Sequence, residues 1–148
     1  MTVPVIFVGH GGYAAGVRDA AEMILGEQEH VGTVSLPPNG SLEQLGEDIT
    51  AELVRLGAQN SVGTDPQTGA LVLADLMGGS PSNAAARLAL TNPDLHLVSG
   101  LNLPMVLEVL TSIEETAAAL AGVALHAGRE GVQDVAAQLR EAASKAGK

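Results

Sequence analysis

Apolar positions along the chain alternate between unbroken runs and helical stripes. Val3 to Val8 is a continuous apolar run ending at Gly9, the pattern of a parallel strand covered on both faces. A helix is predicted from about Ala14, because Val17, Ala20, Ala21, Ile24 and Leu25 recur at helical spacing and Gly26 supplies a stop. Val31 to Leu36 reads as a second strand, closed by Pro37 and Pro38. Ser41 with Gln44 forms a capping box, opening a helix whose stripe is Leu42, Leu45, Ile49, Leu53 and Leu56. The polar stretch from Gly57 to Gly69, with Asn60, Ser61, Asp65 and Pro66, is expected to be a surface loop.

Ala70 to Ala74 is a third buried strand, ending at Asp75 and followed by the turn Met77-Gly78-Gly79. Ser80 is expected to cap the next helix, with Pro81 at its first position, where a missing N–H costs nothing. Leu95 to Val98 is a fourth strand, and Pro104 opens a helix carrying Val106, Val109, Leu110 and Ile113. Ser112 with Glu115 is a second capping box, predicting a further helix that runs to Gly122. From Val123 onward two readings stand: Val132, Val135, Ala136 and Leu139 have helical spacing, while Gly131 to Val135 also fits a short strand. The last five residues read as a frayed tail. Residues 1–135 are therefore expected to form the domain and residues 136–148 a C-terminal helix or tail.

Strand and helix alternate without an internal repeat or linker. This is the signature of an α/β fold: a doubly wound, mostly parallel β-sheet with helices on both faces, in a flavodoxin-like three-layer sandwich. Glycine accounts for 18 of 148 residues, about twice its average share of roughly 7%. Gly9, Gly11, Gly12, Gly78, Gly79 and Gly100 sit where strands end, which is where such sheets bind ligands. Hydrophobic residues make up 46% and aromatics 1%, so the core is aliphatic and little remains to stack on a base. A net charge of −10 has the wrong sign for a phosphate-backbone binder, so no nucleic-acid partner is expected. The absence of cysteine removes disulfides, thiolate zinc sites and a cysteine nucleophile. The first apolar run is short and lacks a basic flank, and no stretch approaches the roughly 18 apolar residues of a membrane span, so a cytoplasmic protein is expected.

Gly9 to Ala14 formally matches G-x-G-x-x-A after a strand, but Leu36, Pro37 and Pro38 stand where a dinucleotide site needs its ribose-binding acid. No P-loop pattern exists, and a receiver domain would need an acidic pair where Gly9 and His10 stand. What remains is His10 at one strand end and Asp75 at another. Neutral imidazole is a competent nucleophile, and a carboxylate that accepts one ring N–H leaves the other nitrogen free to attack. A phosphoryl group on His10 would face the start of the first helix and the backbone N–H groups of Gly79 and Ser80, since helix amino ends and glycine turns are anion sites. Taken singly, each feature also has a plainer reading: a solvent-exposed histidine, an aspartate closing a turn, a glycine-rich strand-to-helix connection. Their convergence on one sheet edge favours chemistry. His30, His96 and His126 lack such a setting and are expected at the surface, and no residue cluster suggests a metal.

The stretches Gly9–Glu29 (GHGGYAAGVRDAAEMILGEQE), Asp75–Arg87 (DLMGGSPSNAAAR), Gly100–Glu108 (GLNLPMVLE) and Gly128–Val132 (GREGV) resemble, in order and spacing, the EIIA components of the mannose, fructose and sorbose class of sugar phosphotransferase systems. The resemblance covers Val3 to about Val135. It implies that His10 carries the phosphoryl group, taken from the phosphocarrier HPr and passed to an EIIB partner, and that sugar never binds this subunit. It also implies that Asp75 holds the His10 ring, that Gly11, Gly78, Gly79 and Ser80 surround the phosphoryl group, and that Asn102, Pro104 and Met105 border the site or dock partners. A homodimer, with a sheet edge completed by an antiparallel strand from the C-terminal region, follows by the same route, and no cofactor or Mg²⁺ is called for. The family often has Trp or Leu where this turn begins; here Leu76 and Met77 stand there, and they are expected to alter docking more than chemistry. Three other readings stand beside this one. They are the phosphotransfer subunit that feeds dihydroxyacetone kinase, a regulatory module whose phosphorylation state is read by a binding partner, and a small-molecule binding domain using the Gly9 turn, which predicts measurable nucleotide affinity.

Overall fold

The computed structural model describes residues 3–57 and 69–147, so the loop predicted between Gly57 and Gly69 falls almost wholly outside the described residues. The elements in chain order are β1 (Val5–His10), α1 (Tyr13–Leu25), β2 (Val31–Leu36), α2 (Leu42–Arg55), β3 (Ala70–Ala74), α3 (Ser80–Leu90), β4 (Leu95–Ser99), α4 (Leu103–Thr111), α5 (Ala117–Glu130) and α6 (Val135–Ala146). The strands lie in the order β2-β1-β3-β4, every pair parallel. Side chains leave each strand on alternating faces. Phe7, Leu71 and Leu73 pack against Ala14 and Ala21 of α1, Met105 and Val106 of α4, and Leu120 and Ala124 of α5. On the other face, Ile6, Val8 and Val72 pack against Leu45, Ile49 and Leu53 of α2 and Ala84 and Ala85 of α3. The central strands β1 and β3 are covered on both faces, which is why they read as apolar runs. The result is the predicted doubly wound, three-layer α/β sandwich.

Several local expectations are corrected. β1 starts two residues later than its apolar run and carries pairing through Gly9 and His10, opposite Ser35 and Leu36 of β2. Ser41 caps α2 through the Gln44 N–H at 3.1 Å, but the Gln44 amide turns to Asp48 instead of reaching back, so half of the capping box forms. Ser112 closes α4, its hydroxyl accepting the Glu114 N–H, and α5 begins instead after Thr116, whose hydroxyl accepts the Ala119 N–H. The later start aims Ala117, Leu120 and Ala124 at the core. α5 then passes Gly122, which borders open space, and continues to Glu130.

In the C-terminal region the helical reading wins. Asp134 caps α6 through the Ala137 N–H, and Gly131 to Asp134 is a connection, with no fifth strand among the described residues. The predicted frayed tail is helical to Ala146. Residues 131–147 are all exposed and contribute to neither core.

Because β1 connects outward to β2 and β3 connects the opposite way to β4, the loops after β1 and β3 diverge. Such a switch point opens a crevice at the carboxyl ends of the strands.

Candidate functional site

His10 ends β1 and Asp75 directly follows β3. Val8 pairs with Ala74, and the Asp75 N–H donates to the Val8 carbonyl at 3.0 Å, which fixes the carboxylate beside the end of β1. Asp75 Oδ2 accepts the backbone N–H of His10 at 2.9 Å and meets the ring Nδ1 at 2.6 Å. Oδ1 accepts the Leu76 N–H at 2.8 Å. An ionised carboxylate only accepts, so in the neutral imidazole Nδ1 carries the proton and Nε2 the lone pair. Burial pushes the Asp75 carboxyl up, but the hydrogen bonds from the His10 ring and from the His10 and Leu76 backbones outweigh it and hold the group below its ordinary value. The His10 side chain is 48% exposed and that of Asp75 8%, so the acid is buried behind an open imidazole.

The glycine turns have separate jobs. A Cβ on Gly79 would stand 2.9 Å from His10 Cε1 and 3.5 Å from Nε2, so only glycine lets the start of α3 approach the ring this closely. Gly79 is also the N-cap of α3, which corrects the expectation for Ser80: Ser80 is the exposed first helical residue and makes no capping bond. Gly78 turns the chain at φ +86°. Gly11, at φ +53°, spends its N–H on the Leu36 carbonyl at 3.0 Å, so it shapes the turn and has no amide left for an anion. Side chains cap four helices, through Ser41, Asn102, Thr116 and Asp134. α1 and α3 start at Gly12 and Gly79 with no side-chain cap, and these are the two helices that begin next to His10. Their leading N–H groups have no capping side chain to bond, and helix amino ends favour anions.

Asn102, Pro104 and Met105 serve the frame. Asn102 Oδ1 caps α4 through the Met105 N–H at 2.9 Å, and Nδ2 donates to the Gly128 carbonyl at 3.1 Å. Met105 is buried, and its Cε would lie 2.7 Å from a Cβ on Gly128. A Cβ on Gly131 would stand 2.4 Å from that of Pro104. The Gly128–Val132 motif is therefore the seat of α4 on α5, and Met105 presents no side chain for docking. Similarly, Gly26–Glu29 closes α1 into β2: Glu22 Oε2 accepts the Gln28 N–H at 2.9 Å, at the end of the sheet opposite His10. Leu76 and Met77 are exposed on the Asp75 turn, at 50% and 82%.

Sequence reasoning did not single out Tyr13, whose hydroxyl donates to the Leu101 carbonyl at 2.5 Å. His126 is exposed as expected, but His30 and His96 are half-buried, and burial pushes the His30 imidazole down. Among the described residues no group of histidines and carboxylates could hold a metal ion, and no helix is long and apolar enough to cross a membrane.

A family model described as the PTS system fructose IIA component, EIIA-man, matches residues 4–124. The chain belongs to this family. The mannose-specific EIIAB component of Escherichia coli K12 is 35% identical to this EIIA chain over 148 residues, 99% of the chain and 43% of that protein. The chain thus spans less than half the length of that relative. The sorbose-specific EIIA component of Klebsiella pneumoniae is 35% identical over 108 residues, 73% of each sequence. Among solved structures, the mannose/sorbose-specific IIA subunit of the Enterococcus faecalis phosphotransferase system superposes with a TM-score of 0.79 at 31% identity, over 91% of this chain and 96% of that one. The crevice at His10 brings together an open imidazole, a buried carboxylate and two helix starts without side-chain caps.

Proposed function

We propose that this EIIA component is a phosphohistidine carrier, accepting a phosphoryl group from HPr on His10 Nε2 and passing it to an EIIB subunit for sugar uptake. The observation that carries the reading is the 2.6 Å contact of Nδ1 with Asp75, which leaves Nε2 as the unprotonated nitrogen beside Gly79 and the uncapped start of α3. In the accepting step the Nε2 lone pair attacks phosphorus, a new N–P bond forms, and the bond to the donor breaks with its electron pair leaving on the donor atom. No proton leaves His10. Nδ1–H stays donated to Asp75, whose negative charge balances the positive charge that phosphorylation puts on the ring. The N–H groups opening α1 and α3 stabilise the phosphoryl oxygens, so transfer depends on positioning and electrostatics. Delivery to EIIB is the same step in reverse, with the acceptor as nucleophile.

Docking belongs to the exposed Leu76 and Met77 on the turn beside the ring, and the net charge of −10 suits partners with basic faces and salt-sensitive, short-lived complexes. In this proposal the carrier works in the cytoplasm. Its functional domain is residues 1–135, and residues 136–148 are an appendage. The homodimer is part of the proposal too. Val132, Val135 and Leu139 are exposed on a segment that joins neither core of its own chain, and a second copy is the cover the family resemblance implies.

Intact-mass spectrometry after incubation with phosphoenolpyruvate, enzyme I and HPr tests the carrier role. A single acid-labile phosphoryl group, absent from His10→Ala, supports it. No addition with a cognate HPr refutes it.

A further inference from the structure

Side-chain hydrogen bonds between residues distant in sequence are few. Among the described residues they join only Asp75 to His10, Tyr13 to Leu101, and Asn102 to Gly128. All three converge on the loops at the carboxyl end of the sheet, and two of them meet at adjacent residues of the β4–α4 loop. Leu101 is buried at 1% exposure, and its N–H donates at 2.9 Å to the carbonyl of Ala74, the residue before Asp75. Its own carbonyl accepts the Tyr13 hydroxyl, and Tyr13 is the first residue of α1. Asn102, next along, is braced against α5. The start of α1 is thereby tied to the same frame that carries the carboxylate behind His10.

α1 needs such a tie. It follows the Gly11 turn at φ +53°, and Gly12 gives it no side-chain cap. The value of helix N–H groups to a phosphoryl group depends on where they point, and a helix end entered through two glycines is poorly fixed by its own chain.

We infer that Tyr13 is a positioning residue for the phosphorylated state of His10, latching the open end of α1 to the Leu101 carbonyl so that its amides stay aimed at the phosphoryl group. This rests on the carrier reading above. Tyr13 does not touch the reacting atoms. It acts through the helix that it begins.

Tyr13→Phe keeps the ring and removes the donor. In steady-state transfer from phospho-HPr, kcat is expected to fall about three- to tenfold, the range that one net hydrogen bond supplies, with KM unchanged. The equilibrium distribution of phosphoryl groups is expected to move toward HPr by a similar factor. A tyrosine that only supports the fold would lower the thermal midpoint and leave both quantities unchanged per folded molecule. Values equal to wild type overturn the latch while the carrier reading stands. A wild-type chain that accepts no phosphoryl group refutes both. Tyr13 is the only tyrosine of the chain, so uniform 3-fluorotyrosine labelling places one ¹⁹F probe on the latch even if the variant folds poorly. Its resonance is expected to shift on phosphorylation of His10, and an unmoved resonance overturns the inference.

Discussion

Replacing Asp75 with alanine removes the partner of three N–H groups at once: the His10 backbone at 2.9 Å, the His10 ring at 2.6 Å and the Leu76 backbone at 2.8 Å. The ring bond is the one that matters for transfer, because it holds Nδ1 protonated and Nε2 open. A hydrogen bond to a charged group is worth about 1.5–3 kcal/mol net, so losing it slows phosphorylation of His10 by about 10- to 150-fold. Asp75→Asn falls between alanine and wild type. Its amide oxygen can still accept from the ring, but its NH₂ then faces the Leu76 N–H, and the balancing charge is gone. The fold survives either change, because the His10 ring is half exposed and the freed backbone donors border the crevice, where water can reach them. Rapid-quench transfer from phospho-HPr, with the thermal midpoint measured in parallel, separates the two effects. An Asp75→Ala protein that is folded and accepts phosphoryl at the wild-type rate would refute the orienting role.

The same carboxylate predicts a pH response. Its folded pKa lies below the ordinary value, so the stability it adds is complete above about pH 4 and is lost as pH falls through the lowered folded value. The thermal midpoint of wild type should therefore drop more steeply below pH 4 than that of Asp75→Asn; parallel acid limbs in the two melting profiles would count against it. Gly79→Ala puts a methyl carbon 2.9 Å from His10 Cε1, displacing the ring, and transfer is expected to slow by about an order of magnitude with little change in melting, as quench kinetics and calorimetry would show. Gly131→Ala meets the rigid Pro104 ring at 2.4 Å and is expected to cost about 1–3 kcal/mol in urea denaturation. Gly128→Ala meets the movable end of Met105 at 2.7 Å and should cost less, so the reverse order would contradict the seating of α4 on α5. A chain ending at Asp134 is expected to sediment as a monomer where the full chain is a dimer; equal sedimentation states would remove the C-terminal segment from assembly.

β2 and β3 run from Val31 to Leu36 and from Ala70 to Ala74, the bounds expected of them from the sequence. β3 is buried along its whole length and β2, an edge strand, in part, and Pro37 and Asp75 punctuate them, so local sequence carries their bounds. His10 and Asp75 were legible for a related reason: a nucleophile and an acid at the ends of adjacent central strands of a doubly wound sheet must meet at its switch point. What stayed hidden depends on distance in sequence or on competition between equivalent caps. Ser112 and Thr116 can each cap a helix, and only the burial of Leu120 and Ala124 chooses between them. Ser80 has capping chemistry, yet Gly79 takes the position because the His10 ring needs the space a side chain would fill. The Gly11 amide looks available until Leu36 of the neighbouring strand claims it. Met105 is expected to border the site or dock partners but is buried and seats α4 in the core. Tyr13 and Leu101 are 88 positions apart, and no local pattern relates a lone tyrosine to a buried carbonyl.

In the proposed carrier, His10 holds a phosphoryl group on Nε2 while Asp75 holds Nδ1. One spectrum tests both halves: a long-range ¹H–¹⁵N correlation of the uniformly labelled chain, recorded before and after phosphorylation by phosphoenolpyruvate, enzyme I and HPr. A protonated Nδ1 is expected in the free protein, and afterwards phosphorus coupling on Nε2 of His10 alone, with Nδ1 still protonated. Phosphorus on Nδ1 or on another histidine, or an imidazole spectrum unchanged by the donor system, would contradict the proposal.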